Sequence, residues 1–159
     1  MKLTAKDIAW TIVNRSKRFA LRSSNVFFLM ENVSWGLFNW GEVDLLVCSK
    51  ALYLTDIEIK TSISDLKADF KKKKWGVWGN FKRDIKYHYY AIPEDLYDKA
   101  KIIIDKHQPN SGIIVVKRNR FDTSCKIVKK AVASKLAKPM KERNIINLAR
   151  LAMFRHWRD

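Results

Sequence analysis

A chain of 159 residues with 47 % hydrophobic and 12 % aromatic side chains, and only five glycines and three prolines, suits one packed domain and excludes a disordered or fibrous polypeptide. No apolar run approaches the roughly 20 residues of a membrane span, the N-terminus lacks the apolar core of a secretion signal, and Cys48 and Cys125 form neither a disulfide framework nor a metal-binding pair. Thirty-two Lys and Arg against sixteen Asp and Glu give a net charge of +16 and a pI near 10.0, which points to a polyanionic partner, nucleic acid before acidic lipid. The expectation is a cytoplasmic protein with no membrane partner, in which any metal is held by oxygen.

Thr4 and Asp7 resemble a capping box, and Ile8, Ile12 and Phe19 share a helical stripe, so a first helix is predicted over 4–20. Val26 to Met30 reads as a buried strand ending at Glu31. Val43 to Cys48 is a second strand, Ser49-Lys50 a tight turn, and Leu52 to Lys60 a long third strand. Ser62 or Ser64 can cap a helix whose Ile63, Leu66 and Phe70 share a face. Tyr87 to Ile92 is a fourth strand, Pro93 starts a helix carrying Leu96, Ala100, Ile103 and Ile104, and Gly112 to Lys117 is a fifth strand. The remainder is read as a basic extension to a core of about 1–116. Residues 117–159 hold thirteen basic and three acidic side chains, a net +10. A final helix there, about Lys141 to Arg155, has Ile145, Leu148, Ala149 and Ala152 as its core face. The order αβββαβαβ…α predicts a single α/β (α+β) domain with a mixed central sheet between helices.

The chemistry concentrates on strands two and three. Side chains alternate across a strand, so Glu58 and Lys60 project from one face while Ile57 and Ile59 enter the core. The thirteen residues between Asp44 and Glu58 allow the chain to finish one strand, turn and return, which brings Asp44 beside Glu58. Two carboxylates suit Mg²⁺, a hard octahedral ion commonly held by one or two carboxylates with waters and substrate phosphate. Asp44, Glu58 and the backbone carbonyl of Ile59 are the predicted ligands. Lys60 is placed to orient water or offset charge on a phosphorane. Glu-x-Lys on a strand is also a common solvated ion pair. Here the strand is otherwise apolar, so three ionisable groups on one face, Asp56 among them, are costly unless used.

The Asp44…Glu58-Ile59-Lys60 pattern resembles the core of the PD-(D/E)XK metal-dependent nuclease superfamily, and is most similar to its MmcB-like branch linked to DNA repair. Ser62, Asp65, Asp69 and Lys71 match the branch's pattern after the third strand, as do Tyr87 to Tyr90 leading into Ala91-Ile92-Pro93-Glu94. Val43 stands in place of the superfamily's proline. The resemblance covers about 26–105 and implies a restriction-endonuclease-like core, a DNA endonuclease using Mg²⁺ or Mn²⁺, and Glu31 as a further ligand at the end of the first strand. It leaves open a homodimer, an RNA-directed nuclease, or a nucleic-acid-binding module on the same fold that does not cleave. Asp65 and Asp69, four residues apart on a helix, can hold a water, orient Lys60, or pair with neighbouring lysines.

Lys71, Lys72, Lys73 and Lys74, followed by Trp75, Trp78, Phe81, Lys82 and Arg83, interleave cations with aromatics. That pattern suits phosphate contacts plus stacking on unpaired bases, and equally a solvated helix end beside core tryptophans. His88, His107 and His156 show no ligand spacing, and His88 reads as a strand residue rather than a general base.

Overall fold

A computed structural model describes residues 2–33, 42–71 and 84–156, except the side chains of 154–156. The predicted capping box opens helix α1 (Ala5–Arg15): Asp7 N–H donates to Thr4 Oγ1 at 3.2 Å, and Thr4 N–H donates to Asp7 Oδ2 at 2.9 Å. The helix stops earlier than predicted because Ser16 takes the backbone aside. Its Oγ accepts from the N–H groups of Arg18 at 3.3 Å and Phe19 at 3.1 Å, a local alternative to another helical turn.

Six strands follow among the described residues: β1 (Val26–Val33), β2 (Val43–Ser49), β3 (Leu54–Ile59), β4 (Ile85–Pro93), β5 (Gly112–Arg118) and β6 (Thr123–Lys129). They lie in one sheet in chain order. β1, β2 and β3 form an antiparallel meander, β3, β4 and β5 run parallel, and β6 returns antiparallel to β5. Parallel neighbours need crossovers, supplied by α2 (Ile63–Lys71) and by α3 (Tyr97–His107) after a 3₁₀ turn at Glu94–Leu96. Helix α4 (Glu142–His156) completes a mixed α/β sheet flanked by helices, the predicted class.

The strand β3 is buried along its whole length, as a central strand covered on both faces should be. Alternation divides its neighbours between two layers. Leu45, Ile57, Tyr89 and Ile114 meet Ile8 and Ile12 of α1, while Tyr90, Ile92 and Ile113 meet Leu66, Ala100 and Ile104 of α2 and α3. β3 begins at Leu54 rather than Leu52 because Leu52, at φ 62°, closes the turn by donating its N–H to Ser49 O at 2.8 Å.

The C-terminal third departs from its reading as an extension. β6 pairs with β5, and Met140 and Leu148 are buried against Leu46, Cys48 and Leu54. β6 escaped the sequence reading because it is an edge strand with one wet face, on which Ser124, Lys126 and Val128 are exposed. α4 packs through Ile145, Leu148 and Leu151, whereas Ala149 and Ala152 are exposed. The three larger side chains bury more apolar area than two alanines would. Among the described residues no helix is long and apolar enough to cross a membrane.

At Gly112 the backbone passes close to its neighbours. A Cβ there would overlap the Tyr89 ring and come within 2.7 Å of Ala131 N. Gly112→Ala should lower stability by about 2 kcal/mol through overpacking, read as a drop in melting temperature; an unchanged melt would show that Tyr89 can step aside.

Candidate active site

The register Leu45↔Ile57 and Leu46↔Asp56, continued one step, sets Asp44 opposite Glu58. Directly opposed residues in an antiparallel pair project from the same face. The two carboxylates therefore share the face that α2 covers. Asp44 Oδ2 accepts the N–H of Ile59 at 2.7 Å, which ties the start of β2 to the end of β3. The Ile59 peptide thus meets Asp44 through its amide, alongside the carbonyl predicted as a ligand.

Lys60 follows the last residue of β3, and its own N–H continues the ladder by donating to Ala91 O at 3.0 Å. Its ammonium turns back under α2. Nζ lies 3.1 Å from Glu58 Oε2 and 3.4 Å from Asp69 Oδ1, with all three side chains about nine-tenths buried. Asp69 reaches this position because α2 leaves the sheet immediately after Lys60. Its start is fixed by Ser62 Oγ, which accepts the N–H of Asp65 at 3.1 Å.

Burial governs the charges. It pushes Glu58 up to about 7, reinforced by Asp56 and Asp44 and opposed by Lys60. Burial also raises Asp44, against the Ile59 N–H and Lys60, which favour its ionised form. For Lys60 burial acts in the other direction, but Glu58 and Asp69 outweigh it and hold the amine protonated. Among the described residues the site is a buried group of carboxylates around the Lys60 ammonium.

The structure separates other predicted members from this cluster. Glu31 does not join Asp44 and Glu58, because it pairs with Leu45, whose side chain enters the α1 layer on the opposite face. Asp65 and Ser62 stay at the rim, with Asp65 exposed while Asp69 is buried one turn on. Lys71 is exposed at the end of α2, and Lys72, Lys73, Lys74, Lys82 and Arg83 lie outside the described residues, as do Trp75, Trp78 and Phe81.

Two residues not assigned a site role complete the buried polar row. His88 on β4 stands beside Asp56 on β3, with Nδ1 to Oδ2 at 2.7 Å, and Tyr90 stands beside Glu58. The signal lay in the alternation of β4, where His88 and Tyr90 are two residues apart. The parallel register that sets them against Asp56 and Glu58 depends on the crossover between the strands.

No family model and no curated protein matches the chain. Among solved structures it is similar to the SPO1766 protein of unknown function from Silicibacter pomeroyi, with 16 % identity and a TM-score of 0.60 over 99 % of this chain and 90 % of that one. The likeness is one of fold.

Among the described residues no three His, Cys, Asp or Glu side chains are grouped to enclose a metal ion. The donor set is the two-carboxylate kind, which suits Mg²⁺ that keeps several waters. Asp56 Oδ1 and Tyr90 OH are buried without a hydrogen-bond partner among the described residues. Buried polar atoms of this kind call for a water or an ion. The oxygens of Asp44 and Glu58 are the donor type that a divalent cation with coordinated water would take.

Proposed function

We propose that this protein is a divalent-metal-dependent DNA endonuclease with a restriction-endonuclease-like core, acting in DNA repair or recombination. The observation that carries the reading is the Asp44 carboxylate on the Ile59 N–H at 2.7 Å, next to Glu58, with Lys60 Nζ 3.1 Å from Glu58. Asp44 and Glu58 would hold Mg²⁺ or Mn²⁺, which when bound supplies Lewis acidity toward phosphate and a more acidic water. The Ile59 N–H keeps Asp44 oriented and favours its charged form. Lys60, held by Glu58 and Asp69, brings a positive charge to the place where the phosphorane gains negative charge. Glu58, Lys60 and Asp69 are buried, so that charge is weakly screened.

A second reading is a nucleic-acid-binding module that does not cleave, and it draws on the same contact. With Lys60 on Glu58 Oε2, that oxygen already has a cation. A single assay separates the two: labelled single-stranded, duplex, nicked and branched DNA, with RNA beside them, incubated with Mg²⁺, Mn²⁺ or EDTA. Metal-dependent DNA products are expected. Binding without products on any substrate would leave the module, and products on RNA alone would move the substrate class.

The net charge of +16 predicts steep salt dependence. Binding that neutralises about six phosphates should weaken by roughly 10³-fold between 50 and 200 mM salt. A flat isotherm series would remove the nucleic-acid partner.

A further inference from the structure

The turn joining β5 to β6 presents an exposed aromatic side chain. Phe121 is 90 % exposed, and the Arg120 guanidinium lies over its ring at 5.3 Å from the centroid. The turn around it is fastened. Asn119 N–H donates to Asp122 O at 2.8 Å, and Thr123 N–H donates to Asp122 Oδ1 at 2.8 Å. Arg15 and Asp7 of α1 then grip it through Asp122 and Arg118, each at 3.0 Å, and Thr11 bonds Thr123 at 2.7 Å. These ties consume the one acidic side chain of the turn and leave Arg120 and Phe121 projecting. A ring so far exposed on a braced turn, beside a guanidinium, is open to a planar partner.

The position of the turn selects the partner. β3, β4 and β5 are parallel, and Glu58, Tyr90 and Ile113 stand at one level. β5 runs on from Ile113 to Arg118, so the turn leaves the same end of the sheet as Glu58 and Lys60. With strand rises of about 3.3 Å and strand spacings of about 4.8 Å, the tip, two to three residues beyond Arg118, stands roughly 25 Å from Glu58. That is about seven base steps at 3.4 Å each.

We infer that Arg120 and Phe121 form a stacking wedge for an unpaired DNA base, about seven nucleotides from the phosphate that a cation at Asp44 and Glu58 would hold. Arginine beside an exposed aromatic suits nucleic acid, since the cation meets the phosphate while the ring stacks on a base. The inference rests on DNA being the partner in the proposed function, and it adds the recognition of unpaired structure. The wedge acts in binding and takes no part in bond cleavage.

The test uses the full chain carrying Glu58→Ala, with a fluorescent duplex containing a short single-stranded gap and the same duplex uninterrupted. Adding Phe121→Ala should weaken binding to the gapped DNA about tenfold and to the intact duplex less than twofold, while Phe121→Trp retains the preference. Arg120→Ala should reduce the salt slope by about one. An exposed ring contributes little to folding, so the melting temperature should not move. Equal affinity of Phe121→Ala and its parent for gapped DNA overturns the wedge and leaves the nuclease reading intact. A parent that binds no DNA overturns both. Binding lost with Phe121→Ala, in a protein whose native sequence cleaves nothing, supports the wedge and rejects the nuclease.

Discussion

Asp44→Ala and Glu58→Ala should each reduce metal-dependent DNA cleavage by roughly 10³-fold or more, with DNA affinity within a few-fold of the native protein. The size follows from losing a ligand to the ion that is asked to stabilise several kcal/mol of transition-state charge. Affinity should survive because the long-range attraction comes from the surface cations. Metal binding supplies a readout independent of turnover. Mg²⁺ at about 100 times its dissociation constant should stabilise the native protein by about 2.7 kcal/mol, and Asp44→Ala should abolish that increment. Lys60→Met is a useful contrast, since it removes the positive charge while leaving both proposed ligands. It should cost rate without costing the metal-induced shift. Cleavage that persists in both alanine variants would show that the chemistry, if any, is elsewhere.

How much of this site could be read from residues alone depends on how each neighbour is set. Asp44 and Glu58 lie on strands joined by a short turn, where loop length and alternation fix which side chains meet. Lys60 is two residues from Glu58 and shares its face by the same period. Asp69 required only that a helix start after Lys60 and fold back. Glu31 required more: the register of β1 against β2 passes through a connection whose length alone does not fix it, and one residue of slip moves a side chain to the other face. The partnership of Asp56 with His88 was harder still, because a parallel register is set through a crossover helix and not by a turn. β6 was hidden by its composition. With Cys125 and Ile127 half-buried and lysines between and after them, its pattern is that of a basic loop until β5 supplies the ladder. The mixed sheet followed from element order, which loop conformation does not disturb.

Glu58→Gln should make the metal-free protein more stable above pH 7 than the native sequence, and equally stable near pH 4. The sign follows from proton linkage. Glu58 has an ordinary value of 4.5 in the unfolded chain and is pushed up to about 7 in the folded one, chiefly by burial. Between those values the folded state binds the proton more tightly than the unfolded state, so stability falls as pH rises. The favourable contribution is complete below 4.5 and lost on passing 7. Its full size is about 3 kcal/mol, or roughly 6 to 12 °C in the melting temperature of a domain this long. Glutamine keeps the shape and has no charge to desolvate, and Lys60 keeps Asp69 at 3.4 Å as its counter-ion. The measurement is thermal melting of both proteins in EDTA from pH 4 to 9. A glutamine variant less stable than the native protein at pH 8 would mean that the Lys60 ion pair outweighs the cost of burying Glu58. The expected result ties stability to function, because the negative charge that strains the fold above pH 7 in EDTA is the charge that would recruit a divalent cation. Adding Mg²⁺ at pH 8 should then restore the native protein to the stability of the variant while leaving the variant itself unmoved.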